Sequence, residues 1–166
     1  MSTLSSWDRT VECARAALDK KAWDLVVLET GGLSSIGDYF VICSGRSDTQ
    51  VQAIAEAVTE SLGTAGVRPL SIEGLERGQW VLLDFGDVIV HVFQGPVREF
   101  YDLERLWAKA PRATLPAPIQ AQAESFRQLM LAIRPLEGTG PAPRRLTTTI
   151  TAYVDLPPTL GLHAAL

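Results

Sequence analysis

The chain has 166 residues, 46% of them hydrophobic and 20% charged, and its 15 basic against 19 acidic side chains give a formal net charge of −4. This suits one globular domain with an appendage, and it excludes a global basic field, so contact with a phosphate backbone would need a local patch. Two cysteines without C-x-x-C spacing, Cys13 and Cys43, and two histidines, His91 and His163, exclude a disulfide framework and leave almost no ligands for a transition metal. No apolar run reaches the roughly 18 residues of a membrane span, and Asp8, Arg9 and Glu12 interrupt any signal-peptide core, so a cytoplasmic protein is expected.

Trp7, Val11, Ala14 and Leu18 recur at helical spacing after Ser5 and Ser6, predicting a first helix with those serines as caps. Leu25 to Glu29 and Tyr39 to Cys43 are short β-branched or aromatic runs that predict two central strands, separated by a loop carrying Gly31, Gly32 and Gly37. Ser47 with Gln50 three residues on has capping-box spacing, and Val51, Ile54, Ala55, Val58 and Leu62 then predict a second helix running to Gly63. A strand near Val67 to Ile72 follows.

The run from Gly78 to Gly95 predicts a hairpin turning at Gly86-Asp87. Alternation places Val81, Leu83, Phe85, Val88, Val90 and Val92 on an aliphatic face meant for helices, and Trp80, Leu82, Asp84, Ile89, His91 and Phe93 on the other. A short charged and aromatic helix from Arg98 to Trp107 comes after Pro96. The expected fold class is α/β, with a small mixed sheet packed with helices.

Eight of the ten prolines lie after residue 110, and the charge changes sign there, from −6 over residues 1–110 to +2 over residues 111–166. A boundary is therefore expected near Pro111, with a Pro-rich extension over 111–166. In that extension 119–133 has helical content, Gly138 to Thr149 reads as a linker, and Leu146 to Leu156 alternates weakly like a strand.

The second hairpin face admits three readings. His91 beside Asp84 has the elements of an oriented imidazole, aromatic side chains there suit a protein-binding surface, and Trp80 could instead be covered by the domain's own C-terminal helix, against Tyr101 or Trp107. No nucleophile completes a triad, since Ser44 lies at another strand end and Ser47 is explained by capping. Gly45, Ser47 and Asp48 precede a helix as a phosphate cradle would, but neither phosphate-binding glycine motif is present.

The strings DYFVICSG (38–45), SDTQVQAIA (47–55), GQWVLLDFGDVIVHVF (78–93) and REFYDLERLW (98–107), in this order and spacing, resemble the ribosomal silencing factor RsfS, or Iojap, family, and the segment 20–35 fits as well. The resemblance covers about residues 8 to 110. It implies a nucleotidyltransferase-like fold without catalytic activity, metal or cofactor. It further implies binding to the large ribosomal subunit through ribosomal protein L-fourteen, which obstructs joining of the small subunit when nutrients are scarce, and a possible homodimer when free. An assembly factor without silencing is the alternative, and a nucleotidyltransferase a remoter one, because Asp84 and Asp87 lack D-x-D spacing. Partner contacts are expected at Trp80, Leu82, Asp84, His91, Phe93, Arg98 and Tyr101. Asp38, Tyr39, Asp102 and Glu104 follow the family pattern without an assigned role. Glu29 and the pair Ile36-Gly37 depart from that pattern, and sequence-specific nucleic-acid binding is not expected.

Overall fold

The Ser5 hydroxyl accepts from the Asp8 amide while the Asp8 carboxylate accepts from the Ser5 amide, a reciprocal cap that starts helix α1 (Ser6–Asp19) and is worth about 1 kcal/mol. In this computed structural model, which describes residues 4–33 and 35–133, strands β1 (Trp23–Glu29) and β2 (Tyr39–Gly45) follow. Helix α2 (Asp48–Thr64), β3 (Ser71–Glu73), β4 (Trp80–Asp84) and β5 (Val88–Gln94) come next, then α3 (Gly95–Tyr101), α4 (Leu103–Leu106) and α5 (Ala117–Ile133). The linker and weak strand expected after Gly138 lie outside the described residues.

The five strands form one mixed sheet in the order β1-β2-β5-β4-β3, with β2 and β5 parallel and every other pair antiparallel. The parallel pair requires the crossover that α2 supplies. The hairpin turns at Gly86-Asp87 as the alternation requires: Phe85 N–H donates to the Val88 carbonyl, and Gly86 takes φ +91°, a conformation glycine adopts without strain. The division of faces also holds. Val81, Leu83, Phe85, Val88, Val90 and Val92 join α1 and α2 in one core, and Trp80, Leu82, Ile89, His91 and Phe93 lie on the opposite side.

Element boundaries and one cap differ from the sequence reading. Helix α2 passes Gly63 and closes at Gly66 (φ +83°), where the Gly66 and Val67 amides donate to the carbonyls of Gly63 and Leu62. Val67 is consumed by that closure, so β3 starts only at Ser71. The capping box is also offset: Ser47 accepts from the Gln50 amide, but the Gln50 carboxamide oxygen reaches the amide of Arg46.

The packing does not stop at Pro111. Pro111 and Val27 carbonyls accept from the amides of Glu29 and Ala113, and Leu28 bridges Arg112, so residues 111–113 cover the outer edge of β1. Helix α5 then lies on β1 and α1, burying Leu115 and Ala123 in the larger core with Ile119 and Phe126 against it. Proline enrichment marked a change of composition, whereas the apolar side chains between the prolines belong to the domain.

Candidate functional site

The sheet face opposite α1 and α2 carries an aromatic cluster. Trp80 on β4 lies 4.6 Å from Phe93 on β5, measured between ring centroids, and 5.3 Å from Tyr101 at the end of α3. Phe40 on β2 is 4.9 Å from both His91 and Trp107. Trp80 Nε1–H donates to His91 Nδ1 at 3.1 Å, and burial pushes the imidazole down to about 3, so it stays neutral across the physiological range. Val97, Leu103, Trp107 and Ala110 cover this layer from above.

That cover corrects the expected exposure of the face. Trp80 is 1% exposed, and Leu82, His91 and Phe93 are equally buried, so these four have no surface to offer a partner. The alternative of Trp80 lying under its own C-terminal segment, against Tyr101, is the one the structure contains. His91 is paired with an indole rather than with Asp84, whose carboxylate accepts from the Gly86 amide at 2.8 Å and shapes the hairpin turn.

Arg98 is likewise an internal strut, 6% exposed. Its guanidinium donates to the Asp24 carbonyl (2.7 Å), Ser44 Oγ (2.9 Å) and the Glu104 carboxylate (2.9 Å), tying α3 and α4 to the first two strands. Glu104 also pairs with Arg112 at 3.7 Å. Asp102 joins α3 to α4 in the left-handed region (φ 48°, ψ 51°) and is exposed. The break it makes turns Leu103 and Trp107 down onto the sheet.

Asp38 and Tyr39 open β2. Asp38 accepts Ser6 Oγ at 2.7 Å and its amide donates to the Asp87 carbonyl, while the Tyr39 ring sits 5.4 Å from Trp7. Thr30 Oγ1 donates to the Gly37 carbonyl, which fixes the Ile36-Gly37 loop. Asp87 is engaged by Ser6 and Arg9, and Asp84 by its own turn. Among the described residues no group of three or more potential metal ligands converges. Cys13 and Cys43 are buried, and burial pushes both thiols up, Cys43 to about 12, so neither is poised as a nucleophile.

What remains at the surface is a rim. Tyr101 is half-buried, Asp102 is exposed, and Phe100, packed edge-on against Tyr101 at 4.9 Å, is 64% exposed. Phe100 was missing from the expected contacts. Its exposure was not legible from spacing, because position 100 is i+3 from Val97 and so stands beside the buried stripe of α3.

The described residues thus form an α/β protein in which an aromatic sheet face is sealed beneath two short helices, with Phe100 exposed beside it. Residues 3–130 match the family model described as "Ribosomal silencing factor during starvation", and the chain belongs to this RsfS family. It is 46% identical over 102 residues to the ribosomal silencing factor RsfS of Bacillus subtilis, covering 61% of this chain and 86% of that protein. It is 35% identical over 112 residues to the chloroplastic Iojap protein of Arabidopsis thaliana, covering 68% of this chain and 47% of that one. A crystal structure of a Chromobacterium violaceum protein superposes with a TM-score of 0.62 at 38% identity, over 63% of this chain and 88% of that one. The match through residue 130 extends past Pro111, in agreement with the packing of α5.

Proposed function

We propose that this protein is a ribosomal silencing factor of the cytoplasm that binds the large ribosomal subunit through ribosomal protein L-fourteen and sterically blocks joining of the small subunit, lowering translation when nutrients are scarce. The observation that carries this reading is the family match over residues 3–130. The physical character of the molecule supports it. A steric block needs a stable body and an adhesive surface, and no chemistry. The sealed aromatic layer supplies rigidity, and Phe100, Tyr101 and Asp102 supply an aromatic anchor with an acidic neighbour. Residues 1–110, at net −6, are attracted to the basic surface of a ribosomal protein. Free of the subunit, the chain is expected to pair with a second copy, which light scattering reads.

Sucrose-gradient sedimentation tests the function. The purified chain should comigrate with isolated large subunits, and adding it before small subunits should lower the yield of joined ribosomes. Confirmed binding with unchanged joining at saturation would remove the steric mechanism.

A further inference from the structure

Strand β3 ends the sheet, and among the described residues its outer side carries no neighbouring strand. Such an edge is a template for another strand. Of the four large apolar side chains exposed among the described residues, two stand at this edge, Leu70 at 76% and Ile72 at 41%. Ile72 pairs in register with Leu83, which belongs to the core shared with α1 and α2, so Ile72 lies on the helix side of the sheet. Between it and α2 runs a groove of about 220 Å³ walled by Ala55, Ile72, Leu75 and Leu83, with the exposed side chains of Glu56 and Glu60 also in its lining.

The chain carries an occupant of matching chemistry beyond the described residues. In the sequence 146–156, Leu146, Ile150, Ala152, Val154 and Leu156 fall on one side of an alternating pattern that only Thr148 interrupts, and Thr147, Thr149, Thr151, Tyr153 and Asp155 fall on the other. Pro157 and Pro158 close the pattern, and Arg144 and Arg145 precede it, opposite in charge to Glu56 and Glu60. The connection is long enough. Helix α5 ends at Ile133 after packing on β1 and α1. From there the 12 residues 134–145 span up to ~40 Å when extended, about twice the ~19 Å of four strand spacings between β1 and β3.

We propose that residues 146–156 of the same chain add a strand to the open edge of β3, seating Ile150, Ala152 and Val154 in the groove against α2 with Arg144 and Arg145 beside Glu56 and Glu60. The edge is thereby closed to strands of other chains, as residues 111–113 close β1 at the opposite end of the sheet. This is independent of the ribosome-binding reading.

Nuclear magnetic resonance of the full chain tests it. A nitroxide attached at Glu56→Cys, the native Cys13 and Cys43 being buried, should broaden the backbone signals of residues 148–154. Amides of residues 147–155 should exchange with deuterium roughly tenfold or more slowly than in an unstructured chain. Ile150→Asp with Val154→Asp should abolish both effects while the signals of β5 stay in place, which separates lost docking from lost folding. In a mixture of nitroxide-bearing chains with isotope-labelled chains that lack the nitroxide, signals 148–154 should remain sharp. Broadening in that mixture would mean that the tail of one copy fills the groove of another, and overturns the inference. Exchange of 147–155 at the unstructured rate overturns it too, as does slow exchange without broadening from position 56, which puts the segment elsewhere, or persistence of both effects in the double variant.

Discussion

Trp80 on β4 and His91 on β5 are diagonal neighbours on one sheet face, and the indole N–H of the first donates to Nδ1 of the second at 3.1 Å with both side chains buried. The bond fixes the imidazole as a neutral acceptor and gives the indole the partner that a buried tryptophan needs. The indole N–H is satisfied by this bond, and Nδ1 of the imidazole is committed to it.

Acid should therefore unfold the protein partly through His91. Its folded value near 3 lies below the ordinary 6.5, so the unfolded chain binds the extra proton between those limits. Stability from this group is complete above pH 6.5 and is lost as pH falls toward 3, at about 1.4 kcal/mol per unit. His91→Gln keeps an acceptor without titrating, and its stability loss between pH 7 and pH 5 should be smaller than wild type by ~2 kcal/mol in urea titrations. Equal losses would show that other groups carry the acid sensitivity.

Trp80→Ala and Phe100→Ala should separate scaffold from surface. The first opens a cavity among Phe93, Tyr101 and His91 and should lower unfolding free energy by roughly 3 to 5 kcal/mol. The second removes a ring that is 64% exposed. It should leave the urea midpoint nearly unchanged while weakening capture of large subunits by about 2 kcal/mol. Undiminished capture by Phe100→Ala would move the contact elsewhere.

Arg98→Met should cost about 3 kcal/mol or more, because it strands the Glu104 carboxylate, the Ser44 hydroxyl and the Asp24 carbonyl that the guanidinium now serves. Arg98→Lys cannot span the same three acceptors and should recover only part of the loss. A midpoint within error of wild type for either variant contradicts the role of internal strut.

A chain ending at Ala110 should lose much of its cooperativity, since it uncovers β1 and exposes the core that Leu115 and Ala123 help close. One ending after Ile133 should unfold as sharply as the full chain. Calorimetry decides, and a sharp transition in the shorter chain would show that the domain ends at Pro111 after all.

Alternation along the hairpin is a local property, so the two faces and the Gly86-Asp87 turn were legible from residues 80–93 alone. Which face meets solvent is not local. It depends on residues 97–110, where Asp102 in the left-handed region breaks one amphipathic helix into two and so hides the spacing of Val97, Leu103 and Trp107 from a periodicity count. Arg98 was misread for a related reason: a charged residue signals surface until three acceptors from distant segments are known to converge on it. Tyr101 and Asp102 were named through the family resemblance, whereas the bonds from the Gln50 side chain to the Lys20 and Lys21 carbonyls join segments some thirty residues apart, which no local pattern encodes.

The strap formed by residues 111–113 has a consequence for how the chain is made. Synthesis delivers β1 and β2 long before Pro111, so the outer edge of β1 stands open while the intervening residues are still being added. During that interval on the polysome the edge can recruit a strand from a neighbouring nascent chain. The hazard ends only when residues 111–113 emerge and the chain closes its own edge.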